Sequence, residues 1–416
     1  MISSIILKLL SLIFISINYV YSYDEKITNK LSKNNTETIK FQKYKEYCVS
    51  YNYWKLQMPL DEVNDPRITL VLHSTINYIS YLKDQIDTWE GPISLALVIP
   101  PPKKIKCPTN ETKDIECGRY SDKKLIFFKI LDFFSRQNDI SRVSLHLIFE
   151  NKKLFTSCPV IEKHRFDDTK NTSKYVMNLI EESKKEKKYF DVYPINVARN
   201  IGRNGKETEL FFSGDIEQIC SDKYESKVRK LAKSEIIDKK KNIVLVHRRF
   251  EMDEKEKYPR NKKELRKLYN KKKVLIFHQL IYKNGHYIPN LEEWFKEPEI
   301  LNEGKIFKKL SYFDPGWEPQ FVGGSNVPYH DENFPYRIRS NTHLAHIMCY
   351  KNFEFAILSD QFTVHKGIKH AFEKQKTITR EVKIKTYNYS LKFNKKLKKS
   401  YPKRGNICKP LVVYKV

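Results

Sequence analysis

The feature that most constrains this chain is a run of short apolar segments spaced by helix-length stretches. Ile68–His73 (ITLVLH), Ile93–Ile99 (ISLALVI) and Val143–Phe149 (VSLHLIF) read as buried strands. Between the first two, Ile76, Ile79, Leu82, Ile86 and Trp89 form a helical stripe that Gly91-Pro92 ends. Leu125–Phe134 reads as an aromatic-rich helix before the third strand. Strand, helix, strand, helix, strand at this pitch predicts an α/β fold with a parallel or mixed sheet. The pattern continues with a helix start at Asn196–Gly202, a strand at Thr208–Ser213, a helix carrying Val228 and Leu231, and strands at Ile243–Val246 and Val274–Phe277. Residues 251–273 read as a solvated Lys/Glu-dense helix and turn. No internal repeat is present.

Composition narrows the function. Hydrophobic residues make up 40% of the 416 positions and aromatics 13%, which fits a packed body and not a disordered chain. Only 12 residues are Gly, well below the average of roughly 7%. Neither GxxxxGK[ST] nor GxGxxG occurs, so a P-loop nucleotidase and a dinucleotide oxidoreductase both lack their phosphate cradle. HExxH and GxSxG are also missing. Lys plus Arg is 77 against 50 Asp plus Glu, a net charge of +27. Either a general Lys bias fills the surface, or the surface suits acidic partners such as nucleotide phosphates and anionic glycans.

The N-terminus points to the secretory route. Ile5–Ile15 is an apolar run ending near Val20-Tyr21-Ser22, too short for a comfortable membrane span of roughly 20 residues. Residues 1–22 read as a cleaved signal peptide or, second, as a signal anchor that would tether the protein to a membrane. Residues 23–59 are polar and read as a stem or linker, 60–390 as the folded domain, and 391–416 as a basic C-terminal tail. Sequons begin at Asn34, Asn110, Asn171 and Asn388. The seven Cys lack CxxC spacing, which argues for disulfides over a thiolate metal site and leaves one Cys over. Cys107 and Cys117 are candidates for a short bridge. A lumenal protein without a nucleic-acid-binding signature is not expected to bind nucleic acid.

The chemistry-bearing spot is Asp215-Ile216-Glu217, directly after the strand Leu210–Ser213. Ligands in open α/β sheets sit at the carboxyl ends of strands. Two acids one residue apart at such an end can converge on a hard cation such as Mn²⁺ or Mg²⁺, which in turn can bridge a diphosphate. Arg199 and Asn200, with Asn196, are candidates for contacts to phosphates or to the acidic pair. Asp331 and Glu332 are candidates for a general base. Trp317 and Phe321 suit either ring stacking on a ligand or core packing.

A set of segments in order resembles glycosyltransferase family 49, the LARGE-like glucuronyltransferases. They are Trp89-Glu90-Gly91-Pro92-Ile93-Ser94, Tyr193-Pro194-Ile195-Asn196-Val197-Ala198-Arg199-Asn200, the strand into Asp215-Ile216-Glu217, and Phe277-His278. Trp294, Trp317-Glu318-Pro319-Gln320-Phe321-Val322, Tyr329-His330-Asp331-Glu332-Asn333-Phe334 and Phe362-Thr363-Val364-His365-Lys366-Gly367 follow. The resemblance spans about residues 60–372. It implies a GT-A-like, Rossmann-type mixed sheet flanked by helices. It implies that Asp215 and Glu217 stand in the family's DxD metal motif, with His365 as a third ligand for Mn²⁺ or Mg²⁺. It further implies a UDP-sugar donor, with glucuronic acid or xylose as the sugar, and a glycan or glycoprotein acceptor in the Golgi or ER lumen. Two departures stand out: Glu217 replaces the usual Asp, and Pro335-Tyr336-Arg337-Ile338-Arg339 replaces a frequent Gly-Tyr-Gly. They motivate an alternative, a secreted glycan- or polyanion-binding protein that keeps the fold without turnover.

Overall fold

A computed structural model describes residues 37–102, 126–152, 154–162, 178, 180–181, 193–312, 314–370 and 379–413. The leader, the sequons at Asn34, Asn110 and Asn171, and Cys107 and Cys117 lie outside these residues.

The chain opens with β1 (Thr38–Lys40), β2 (Gln42–Tyr44), β3 (Tyr47–Trp54), β4 (Ile68–Thr75), α1 (Tyr81–Thr88), β5 (Ile93–Val98), α2 (Ile126–Gln137), β6 (Val143–Glu150) and β7 (Val160–Glu162). It continues through α3 (Ile195–Asn204), β8 (Leu210–Ser213), β9 (Gln218–Cys220), α4 (Tyr224–Ala232), β10 (Ile243–Met252), α5 (Lys262–Asn270) and β11 (Val274–Ile276). It closes with α6 (Lys283–His286), α7 (Leu291–Lys296), β12 (Ile306–Leu310), β13 (Phe321–Gly323), α8 (Thr342–Tyr350), β14 (Glu354–Lys366) and α9 (Arg380–Ser400).

One mixed sheet runs β12-β14-β10-β13-β8-β4-β5-β6-β3-β2, with β9 added on β14 and β11 on β10. The expected α/β architecture of a mixed sheet flanked by helices is therefore present. Strands β8, β4, β5 and β6 are parallel neighbours. The chain steps outward from β4 to β5 to β6, then returns to lay β8 on the other side of β4. In open α/β sheets such a reversal leaves a crevice at the carboxyl ends of the strands, here those of β4 and β8.

Both faces of these strands are covered. Leu72, Leu95, Leu97 and Leu145 pack with Leu82 of α1 and Leu131 of α2. On the opposite face, Ala96, Val98 and Ile148 meet Val197, Ala198 and Ile201 of α3. Helix α3 sits so close that a Cβ on Gly202 would lie 3.0 Å from Val71 Cγ1.

Three stretches differ from the sequence reading. Residues 38–54, expected to be stem, form strands; β3 pairs with β6 and Cys48 is disulfide-bonded to Cys158. Its polar, Tyr-rich run YCVSYNYW acquires its strand conformation from a partner far along the chain. Residues 251–252, read as solvated, end the buried strand β10. The basic tail from 391 continues α9, where Phe393 and Leu397 bury against Phe334 and Leu411, and Cys349 is bonded to Cys408. Among the described residues Cys220 is a free, buried thiol.

Candidate active site

Asp215 emerges from β8 at the crevice. Gly214 N donates to the Val71 carbonyl (3.0 Å), and Gln85 of α1 donates to the Ile216 and Gln218 carbonyls (both 2.9 Å). These bonds fix the 215–218 turn from a helix that the sequence places well upstream. Across the crevice, β4 contributes His73, whose Nε2 lies 3.8 Å from Asp215 Oδ1.

The Asp215 carboxylate accepts from Arg249 Nη2 at 2.7 Å and Gln320 Nε2 at 3.1 Å, and Arg199 Nη2 lies 3.8 Å away. Burial pulls this carboxyl up, but Arg249, then Arg199, His73 and His286, outweigh it and hold it well below the usual carboxylate range. Arg249 is nearly buried. It also donates to Gln218 Oε1 at 3.1 Å and lies over the Phe277 ring at 4.3 Å. Burial, followed by repulsion from Arg199, lowers His73 to about 3, so its ring is neutral. His73 Nε2 has no hydrogen-bond partner.

The second acid faces elsewhere. Strand β9 pairs antiparallel with β14 so that Gln218 lies opposite His365. This register brings Glu217 Oε2 to 3.8 Å from His365 Nε2. His365 Nδ1 is 3.2 Å from the Gly367 carbonyl oxygen, and Gly367 turns the chain with φ +95°. Beneath lies Glu251 of β10, in register with His365 and fully buried. Neither Glu251 oxygen has a well-formed hydrogen bond, although the His278 and Lys369 main chains approach it, and burial raises its carboxyl.

The donor chemistry of Glu217 and His365 fits a divalent cation, since carboxylate and neutral imidazole both suit Mn²⁺. Asp215 stands apart from that pair, committed to Arg249 and Gln320. Among the described residues no group of three or more His, Cys, Asp or Glu side chains is assembled closely enough to hold a metal. The three expected ligands thus stand as one facing pair and one neighbour.

Asn196 and Asn200 point to a different partner. Asn196 Nδ2 donates to the Phe334 carbonyl (2.8 Å), and Asn200 Nδ2 donates to the His330 carbonyl (2.9 Å) and Glu332 Oε1 (2.7 Å). One turn on, Arg203 donates to the Pro328 carbonyl at 2.8 Å. Spaced along one face of α3, these side chains bind the 328–334 loop. Of the expected donor-binding residues, Arg199 alone lies beside Asp215. The carboxylates of Asp331 and Glu332 are also engaged. Asp331 accepts from Tyr389 Oη (2.5 Å) and Asn333, and Glu332 accepts from Tyr44 Oη (2.6 Å), Lys45 and Asn200. Trp317 and Phe321 are buried in a core cluster, so they pack and do not offer open stacking faces.

The family model described as "Glycosyl-transferase for dystroglycan" matches residues 67–402. The chain belongs to this family, glycosyltransferase family 49. The Danio rerio protein named beta-1,4-glucuronyltransferase 1 is 24% identical over 343 residues, covering 79% of this chain and 74% of that protein. The Homo sapiens protein of the same name is 24% identical over 367 residues, covering 83% and 78%. Among solved structures, the crystal structure of GalNAc-T7 with UDP, GalNAc and Mn²⁺ matches with a TM-score of 0.39 at 10% identity. It covers 84% of this chain and 56% of that one. So loose a likeness carries no inference about the site.

By family, this chain is a glycosyltransferase. In this family 49 member the sequence reading missed His73, Gln85, Arg249 and Gln320, which build the Asp215 pocket. Arg249 lies in the run His247-Arg248-Arg249-Phe250-Glu251-Met252, between the expected strand Ile243–Val246 and the stretch 251–273 read as solvated. Its alternation about Phe250 and Met252 was the available signal, since those two enter a core cluster while Arg249 and Glu251 take the other face.

Proposed function

We propose that this glycosyltransferase moves a sugar, glucuronic acid or xylose, from a UDP-sugar to a glycan hydroxyl in the lumen of the secretory pathway. The observation that carries the reading is the β9–β14 register, which sets Glu217 3.8 Å from His365 at the rim of the crevice where Asp215 meets Arg199 and Arg249. Glu217 and His365 are the residues that would hold Mn²⁺ or Mg²⁺, and Asp215 would join them only by leaving Arg249 and Gln320. The cation would supply charge neutralisation on the departing nucleoside diphosphate. Arg199 and Arg249 put two fixed cations beside the crevice, where they favour an anionic donor. The 328–334 loop, braced by Asn196 and Asn200, would shape the acceptor side.

The test is a UDP-sugar donor screen with Mn²⁺, run on wild type and Asp215→Asn with glycan acceptors. Turnover of one donor by wild type, cut at least about 100-fold in Asp215→Asn with the fold intact, is the expected result. Wild-type protein that binds neither UDP nor a UDP-sugar in millimolar Mn²⁺ refutes it.

A second reading, a non-catalytic glycan- or polyanion-binding protein, draws support from the Arg249 and Gln320 bonds that occupy Asp215. UDP binding without turnover of any donor, together with binding of anionic glycans, would favour it.

A further inference from the structure

In a direct displacement, the acceptor hydroxyl must lose its proton to a carboxylate that faces the crevice and is not already committed. Asp331 accepts from Tyr389 of α9 and from Asn333, and Glu332 accepts from Tyr44 of β2, Lys45 and Asn200 of α3. Asp215 is bound by Arg249 and Gln320, Glu217 faces His365, and Glu251 is fully buried.

Glu318 is different. It lies in the segment entering β13, where side chains alternate between two faces. Trp317 and Phe321 go into the core, and Gln320 reaches the other way to donate to Asp215 Oδ2. Glu318, two residues before Gln320, shares its crevice face. Its main chain is fixed by donation from its N–H to the Gly285 carbonyl at 2.7 Å. The side chain is half-buried, and among the described residues its carboxylate has no hydrogen bond or ion pair. The charges that act on it are those of Arg249, Arg199, Arg339 and Asp215, three of which meet at the Asp215 pocket. Burial raises its carboxyl above the ordinary value despite the three arginines, the direction that strengthens a base.

We propose that Glu318 is the general base of the transfer, a role that rests on the glycosyltransfer reading above. The acceptor oxygen forms a bond to the anomeric carbon of the donor sugar as the bond from that carbon to the diphosphate oxygen breaks. The bonding pair leaves with the nucleoside diphosphate. The acceptor proton passes to a Glu318 carboxylate oxygen and from there to solvent.

The experiment compares wild type, Glu318→Gln and Glu318→Asp for kcat, donor KM, UDP affinity in Mn²⁺ and thermal midpoint. Glu318→Gln is expected to lose about 10²–10⁴-fold in kcat. Its UDP affinity and donor KM should stay within about threefold of wild type, and Glu318→Asp should recover part of the lost rate. The inference is overturned by a Glu318→Gln kcat within about threefold of wild type. It is also overturned by UDP affinity falling in step with kcat, because that marks a donor-binding or structural role. Wild type that binds UDP but transfers no sugar overturns the enzyme reading and the base together, whereas active wild type with active Glu318→Gln removes the base alone.

Discussion

Asp215 and Arg249 show how one half-buried contact sets a site's behaviour. Arg249 is buried but 32% of the Asp215 side chain is exposed, so removing the arginine leaves a partly solvated carboxylate and costs less than the about 3–5 kcal/mol of a fully buried pair. Arg249→Met should therefore lower the urea midpoint, and by more than the same change at an exposed arginine such as Arg260. Acid should act through two groups in opposite charge states. His73 is neutral when folded because its pKa is lowered to about 3, whereas the unfolded chain takes up that proton near pH 6.5. Stability from this group is lost as pH falls from about 6.5 towards 3. Asp215 has its pKa depressed by Arg249 and Arg199 against the pull of burial. Its contribution is full above the unfolded value of roughly 3.9 and is lost as pH falls further. Denaturant midpoints against pH should show His73→Asn flattening the upper part of this decline and Asp215→Asn the lower part. No change in either slope would contradict the assignment.

Pairings between elements carry the rest of the site. Glu217 meets His365 because β9 lies antiparallel on β14, and the exit from β14 depends on Gly367 at φ +95°. A side chain there costs roughly 1–2 kcal/mol in backbone strain, and its Cβ would lie 3.1 Å from Glu254 Oε1. Gly367→Ala should weaken UDP binding in Mn²⁺ more than it lowers the thermal midpoint, because the turn positions His365. Helix α9 is held differently. Phe393 and Leu397 bury against Phe334, and the Cys349–Cys408 bond closes a loop with a sequence separation of 59. Replacing both cysteines by Ser should cost about 2–4 kcal/mol, read as a lower denaturant midpoint with the main sheet retained. Neither β3 nor α9's terminal turns were legible beforehand. A Tyr- and Asn-rich strand lacks alternation, and a lysine run resembles a solvated tail unless its Phe and Leu at i and i+4 are given a surface to cover.

Across the full chain, charge and topology act at different ranges. The excess of +27 is spread over the surface. On α9, Lys383, Lys385, Lys392, Lys395, Lys396, Lys398 and Lys399 are exposed and carry no ion pair among the described residues. Such a field attracts polyanions and is screened over roughly 8–10 Å at physiological salt. Retention on a sulfated matrix should therefore fall steeply with added salt, and charge reversal at Lys392, Lys395 and Lys399 should reduce it without altering UDP binding. Retention insensitive to salt would show that charge is not the cause. No helix among the described residues is long and apolar enough to cross a membrane.

The alternation of apolar runs was enough to establish an α/β sheet, because period and length are local properties of a strand or helix. Position also marked Asp215, since an acid directly after a buried strand stands at the sheet's carboxyl edge wherever the strand goes. Which groups surround that acid was not readable. Arg249 comes from a strand inserted beyond β13, Gln320 from the segment entering β13, and His73 from β4 across the switch in strand order. Strand order and register bring these side chains together, and both are properties of pairings between segments distant in the chain. The same long-range packing turned Asn196 and Asn200 towards the 328–334 loop and left the Glu318 carboxylate without a partner over the crevice.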